Sequence, residues 1–315
     1  TVSQDTLDKK LASVESITEG LGSIGYIASR RIATAIFVAE NLSKPILVEG
    51  SAGVGKTELA LSTAQWLGLP LIRMQCYEGL DDSKALYEWK YGKQLLYTQI
   101  LKDKMGDTLS DTKGLDEAMQ RLHGFGDLFF SEQFLEPRPL LKALRQKHGA
   151  VLLIDEVDKS DEEFEAFLLE ILSAFQVTIP EIGTIEASVP PLVFLTSNNM
   201  REMGDALKRR CLHLFIPLPD AKLEQRIVAS RVPEIEERLR RQLVAFVQML
   251  REEDLKKLPS ISETIDWARV LLLLHADSLD ADLVRDTLNV LLKFEQDIAA
   301  VERSVAELTR KAKQA

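Results

Sequence analysis

The chain has 315 residues, 45% of them apolar, enough to bury one large core and a smaller satellite. Its formal net charge of −10, with no basic stretch to offset it, argues against a nucleic-acid backbone or an anionic membrane as partner. Cys76 and Cys211 stand in unrelated contexts, without the spacing of a disulfide framework or a zinc site, and favour a reducing compartment.

Residues 1–16 are polar and charged, with no basic stub leading into an apolar run, and no later apolar stretch approaches the roughly 18 residues of a membrane span. A soluble, cytoplasmic protein is expected. Apolar runs at 45–49, 71–76, 150–154, 192–197 and 213–216 alternate with helix-period segments, the pattern of a parallel sheet covered by helices on both faces. The polar stretch 102–136, with Gly106, Gly114, Gly124 and Gly126, reads as an insertion, and Phe125, Phe129 and Phe130 within it as local packing. Ser160 and Glu163 fit a capping box, and Phe164, Phe167, Leu168, Ile171 and Leu172 follow at helical spacing, which predicts a helix with one buried face. Two β-rich arms around a Pro/Gly turn predict a hairpin at about 175–188. Beyond Pro217-Leu218-Pro219-Asp220 only long amphipathic patterns remain, broken at Pro233, at Pro259 and near Ser278. The chain therefore divides into an α/β core, 1–217, and a helical domain, 218–315.

The strongest motif is Gly50-Ser51-Ala52-Gly53-Val54-Gly55-Lys56-Thr57, which has the P-loop spacing without a mismatch. An apolar strand precedes it, and Glu58 helps to open the helix that follows, so the helix N-terminus would point at phosphates. The glycines let backbone N–H groups approach an anion. Lys56 would reach the β- and γ-phosphates and Thr57 would offer its hydroxyl to magnesium. At the end of the third strand, Asp155 and Glu156 supply two carboxylates facing opposite ways. Asp155 would hold the metal and Glu156 would orient and deprotonate a water. Asn198, at the end of the fourth strand, would hold that same water.

With these motifs placed, the chain resembles the AAA+ superfamily and, within it, the MoxR family, nearest to the branch of CoxD-like maturation ATPases. Further residues that carry the resemblance are Gly79-Leu80-Asp81, Tyr87-Glu88-Trp89, Leu153-Ile154-Asp155-Glu156, Leu195-Thr196-Ser197-Asn198 and Ala206-Leu207-Lys208-Arg209-Arg210-Cys211. The resemblance implies an α/β fold: a P-loop core with a five-stranded parallel sheet in the order 5-1-4-3-2, followed by an all-helical lid. It implies a homo-hexamer in which Arg210, or its neighbour Arg209, serves as an arginine finger, and it sets Tyr26 and Ile27 beside the adenine. It also matches the polar stretch and the hairpin to two insertions that face a pore or a partner in related rings. One feature departs from the wider family. Where many relatives carry Ser-Pro-Arg in the lid, this chain reads Pro259-Ser260-Ile261-Ser262-Glu263-Thr264-Ile265-Asp266-Trp267, with Arg269 as a candidate substitute.

The expected activity is magnesium-dependent ATP hydrolysis by a ring-forming, chaperone-like ATPase. Its client would be a protein, in relatives often a metalloenzyme, and a von Willebrand A partner would be a separate chain. The alternatives are a nucleic-acid motor, disfavoured by the acidic charge, a nucleotide-switched binding module, disfavoured by the Asp155-Glu156 pair, and a small-molecule kinase, which needs neither Arg209-Arg210 nor a helical lid.

Overall fold

The computed structural model describes residues 3–99 and 130–314. Its strands are β1 (Ile46–Glu49), β2 (Leu71–Gln75), β3 (Tyr87–Trp89), β4 (Leu135–Pro137), β5 (Val151–Asp155), β6 (Gln176–Ile179), β7 (Gly183–Glu186), β8 (Leu192–Ser197) and β9 (Leu212–Phe215). Five of them form one sheet in the order β2-β5-β8-β1-β9, and every pair is parallel. This is the order expected from the resemblance, counted from the other edge. The five apolar runs read from the sequence became these strands, shifted by no more than a residue at either end.

A parallel sheet needs cover on both faces, and the alternation of side chains along each strand shows how it is met. Ile46, Val48, Val151, Leu153, Leu192 and Phe194 point to one face. There they pack with the N-terminal helices α1 (Gln4–Lys10), α2 (Val14–Ser23) and α3 (Arg30–Leu42) and with α4 (Lys56–Leu67). The intervening Leu47, Leu152, Ile154, Val193 and Leu195 point to the other face. Their cover comes from the segment around α5 (Asp82–Ala85), from α6 (Pro139–Leu144) and from α7 (Glu162–Ala174).

Helix α7 buries Phe164, Leu168, Ile171 and Leu172, with Phe167 partly buried beside them, as the spacing predicts. Its cap differs from the expectation. Asp161, not Ser160, is the N-cap, accepting from the Phe164 N–H, while the Ser160 hydroxyl donates back to the Val157 carbonyl. Both neighbours are good caps, and a carboxylate at the positive helix end is favoured over a hydroxyl already engaged in the preceding turn. The hairpin is present as antiparallel β6 and β7. Most of the expected insertion lies outside the described residues, as do Phe125 and Phe129. Phe130 packs edge-to-face on Trp89. The span expected to be insertion nevertheless ends in core: Phe134 and Leu135 are buried, and β4 pairs antiparallel with β3.

A short helix, α8 (Asp205–Arg210), leads into β9, and beyond β9 the chain continues as α9 (Ala221–Arg231), α10 (Glu237–Leu250), α11 (Ile261–Leu273), α12 (Ala281–Leu291), α13 (Glu295–Glu302) and α14 (Val305–Ala312). From α9 onward, these helices enclose a separate core around Trp267, Phe246 and Leu243. The Trp267 indole N–H donates to Thr287 Oγ1 at 2.8 Å, which satisfies the one polar group of that buried ring. Glu224, fully buried, takes a bidentate pair from Arg251 at 2.7 and 2.9 Å and a hydroxyl from Thr264 at 2.7 Å. Arg251 also donates to the carbonyls of Pro219 and Pro259, so this network fixes both the entry to the helical unit and the approach to α11. Among the described residues no helix is long and apolar enough to cross a membrane.

Candidate active site

The sheet register lines up the ends of neighbouring strands. Glu49 of β1 lies opposite Ser197 of β8, and Gln75 of β2 opposite Asp155 of β5. Whatever follows these residues therefore emerges along one edge, where open α/β sheets bind ligands. Residues 50–55 leave β1 there and enter α4 at Lys56. Two glycines in this loop have steric reasons. A Cβ on Gly50 would meet the Ile216 carbonyl oxygen at 2.5 Å, and one on Gly53, at φ +83°, would meet Ser260 Oγ at 2.1 Å.

A polar cavity of about 390 Å³ opens at this edge, lined by Lys56, Thr57, Asp155, Glu156 and Asn198 among others. Motifs separated by 98 residues in the chain are thus in contact: Thr57 Oγ1 donates to Asp155 at 3.1 Å. Asp155 is buried, and both of its oxygens are engaged: Thr196 Oγ1 donates to Oδ1 and Arg73 pairs with Oδ2 at 2.6 Å. Glu156, at φ 55°, turns the chain out of the strand in a left-handed conformation that a bulky residue rarely adopts without a holder. Its N–H donates to Thr196 Oγ1 at 2.9 Å. Its carboxylate receives Gln75 and Lys159, each at 2.6 Å, on one oxygen, and Asn198 Nδ2 at 3.4 Å on the other. The exposed Lys159 ammonium is held above its usual range by its hydrogen bond and charge pairing with Glu156.

Lys56 is buried and donates to the carbonyls of Gly50 and Ser51, at 2.6 and 2.9 Å. Burial lowers its ammonium below the usual range, and the charges of Asp158, Asp155 and Glu156 act against that shift. Asp158 accepts the N–H groups of Asn198 and Met200, at 3.1 and 2.9 Å, and so shapes the loop that carries Asn198. Thr57 and Asp155 form an oxygen-only donor set, which fits a hard cation such as magnesium that retains most of its waters.

Next to the polar cavity lies a larger one of about 670 Å³, and Gly55, Glu58 and Ser262 line both. Its walls include Tyr26, Ile27, Ile216, Leu223 and Ile227. Burial, with the charge of Glu58, raises the Tyr26 hydroxyl far above its ordinary range, so that ring presents a neutral, partly apolar surface. The helical unit closes over both cavities. Ser262 donates its N–H and hydroxyl to the Gly53 carbonyl at 3.2 and 2.9 Å, Ser230 donates to the Gly25 carbonyl at 2.8 Å, and Arg231 pairs with Glu58 at 2.6 Å. An apolar compartment opening into a polar one suits a ligand with a flat base at one end and phosphates at the other.

Of the residues singled out from sequence, the P-loop, Glu58, Asp155, Glu156, Asn198, Tyr26 and Ile27 all line these two cavities except Gly50 and Ser51, which hold Lys56 from beneath. Arg269 lines the larger cavity, with Asp266 3.7 Å away. Arg209 and Arg210 are not at this site. Arg210 donates to the Leu172 and Ser173 carbonyls at the end of α7, at 2.8 to 3.2 Å, whereas Arg209 is exposed and makes no hydrogen bond or ion pair with the described residues. Sequence reading missed Arg73, Gln75, Thr196, Asp158 and Arg231. The available signal was Arg73-Met74-Gln75-Cys76, a polar alternation in a strand expected to be buried on both faces.

The sequence model of the AAA domain, dynein-related subfamily, matches residues 45–211. An uncharacterized protein of Staphylococcus epidermidis is 23% identical over 246 residues, which covers 76% of this chain and 79% of that protein. Among solved structures, domain III of the replication initiation protein DnaA of Thermotoga maritima is 15% identical with a TM-score of 0.45, covering 86% of this chain and 96% of that one. A Cytophaga hutchinsonii protein described as a candidate ATPase is 14% identical with a TM-score of 0.45, covering 98% of this chain and 96% of that one.

Proposed function

Because this chain belongs to the AAA domain family, dynein-related subfamily, whose members bind nucleotide, we propose that it hydrolyses ATP with magnesium at the paired cavities. The observation that carries this reading is the direct hydrogen bond between Thr57 and Asp155, which joins the phosphate loop to the strand that bears Glu156. In this reading the adenine enters beside Tyr26 and Ile27 and the phosphates lie along residues 50–57, with Lys56 turned from its loop carbonyls toward them. Thr57 and Asp155 hold magnesium, which when bound offsets phosphate charge. Glu156 takes a proton from the attacking water, and Asn198, already 3.4 Å from that carboxylate, positions the water.

Completion of the site is proposed to need a neighbour in a homo-hexamer, because Arg209 and Arg210 lie away from the cavities of their own chain. Arg210 is the finger implied by the resemblance, and using it would require release of the α7 carbonyls. Arg209 has uncommitted donors, so the two are to be tested separately. The MoxR-like resemblance, nearest to the CoxD-like branch, further suggests a cytoplasmic, chaperone-like motor acting on a protein client, such as a metalloenzyme, with a separate von Willebrand A partner. Acidic charge supports a protein client over nucleic acid.

Nucleotide binding is tested with Lys56→Ala. Removal of this buried ammonium should weaken ATP binding by roughly 10²-fold, at the upper end of a charge-assisted hydrogen bond, measured by competition against a fluorescent nucleotide. Unchanged ATP affinity in a folded variant would contradict the phosphate-loop assignment.

A further inference from the structure

Among the residues lining the polar cavity two carry positive charge, Lys56 and Arg73. Lys56 belongs to the phosphate loop. Arg73 belongs to no motif and comes from β2, the edge strand of the sheet. Its guanidinium lies 2.6 Å from Asp155 Oδ2 and 3.4 Å from Gln75 Oε1, while the Thr57 hydroxyl approaches the other oxygen of that carboxylate at 3.1 Å. A cation of the protein thus stands on the carboxylate proposed to anchor the metal, the same carboxylate that Thr57 of the phosphate loop touches. The side chain of Arg73 is 52% exposed and that of Asp155 only 6%, so the arginine can turn away without opening the core. Among the described residues the lid offers no cation to this cavity: it contributes Ser262, whose hydroxyl donates to the Gly53 carbonyl.

We propose that Arg73 is a second phosphate-binding cation of the same subunit, resting on Asp155 while the metal is away and moving to the terminal phosphate of ATP when the metal takes that carboxylate. This rests on the nucleotide reading above. A guanidinium and a divalent cation repel at such separations, so the carboxylate serves one or the other. The guanidinium is half exposed, and the metal that replaces it keeps the buried carboxylate paired, which limits the cost of the exchange. An arginine guanidinium presents a planar fork that matches phosphate oxygens. Because ADP lacks the terminal phosphate, Arg73 discriminates between the two nucleotides, and only when metal is present.

The test is equilibrium binding of ATP and ADP to the full chain, by competition against a fluorescent nucleotide, in magnesium and in EDTA, for wild type, Arg73→Ala and Arg73→Lys. In magnesium, Arg73→Ala should bind ATP roughly tenfold more weakly and ADP within about twofold of wild type, and Arg73→Lys should keep most of the ATP preference. In EDTA, where Arg73 remains on Asp155, the alanine variant should bind ATP within about threefold of wild type. Arg73→Gln, which keeps a polar hydrogen-bonding end and removes the charge, replaces the alanine variant if circular dichroism shows that one unfolded. An unchanged ATP-to-ADP ratio, equal losses for both nucleotides, or the same ATP loss in EDTA would overturn the proposal. Failure of the nucleotide reading looks different: wild type then binds neither nucleotide, or Lys56→Ala binds both as wild type does.

Discussion

Three carboxylates within four residues, Asp155, Glu156 and Asp158, face different demands, and the structure answers each with different partners. Asp155 is held by two hydroxyls and Arg73, Glu156 by Gln75, Lys159 and Asn198, and Asp158 by two backbone N–H groups. Asp158 Oδ1 is buried without a partner, so its charge remains available to Lys56, the nearby buried ammonium it helps to keep protonated. Glu156 differs from the other two because it is itself only partly buried, whereas Asp155 and Asp158 are buried, which leaves it able to exchange its partners for water and substrate. At this scale the motif residues were legible because each sits in a fixed local context, a glycine loop or a strand end. Arg73 was not, because the partner that gives it meaning is Asp155, 82 residues away, and one sequence shows no pairing across strands. The arginine pair shows the same limit: adjacency in sequence puts Arg210 on the α7 carbonyls and Arg209 in solvent, a difference set by helical rotation about α8.

At the scale of elements, α7 is the support beneath the catalytic edge. Its buried Phe164, Leu168, Ile171 and Leu172 press on the sheet face formed by Leu152, Ile154, Val193 and Leu195, the residues just before Asp155 and Asn198. Leu168 is fully buried, so Leu168→Ala should lower the stability of the core by about 2–5 kcal/mol, from lost transfer energy and the cavity left behind. Urea unfolding followed by fluorescence checks this, with Glu170→Ala on the exposed face as a control expected within about 0.5 kcal/mol of wild type. A loss of less than about 1 kcal/mol for Leu168→Ala would mean the helix is not packed as described. The inner strands β1, β5 and β8 were legible because parallel strands buried on both faces read as unbroken apolar runs. The pair β3 and β4 was not, since three residues including Pro137 carry too little pattern to be told from loop. The α7 cap was displaced by one residue because Ser160 and Asp161 are both competent caps, and only the turn before them decides between the two.

At the scale of the whole molecule, the lid touches Gly53 through Ser262, Gly25 through Ser230 and Glu58 through Arg231, so under the nucleotide proposal occupancy of the cavities and lid position are linked. If the ring proposal holds, each subunit owns an incomplete site. Mixing Glu156→Gln subunits with Arg210→Ala subunits should then restore part of the ATPase activity that each lacks alone, since some interfaces pair an intact Glu156 with a neighbour's intact Arg210. Loss of a trans-acting arginine should cost roughly 10³-fold in turnover. The same mixing with Arg209→Ala identifies which arginine crosses the interface. No recovery with either, in mixtures that demonstrably co-assemble, would contradict an arginine supplied in trans.

The central claim is that the paired cavities hydrolyse ATP with Glu156 as the base, and the most direct measurement is a side-by-side determination of ATP affinity and turnover for Glu156→Gln in magnesium. The amide keeps the shape of the side chain, so ATP should bind within about threefold of wild type, while turnover falls by at least roughly 10²-fold because the amide cannot accept the proton. Turnover equal to wild type in that variant would contradict the account.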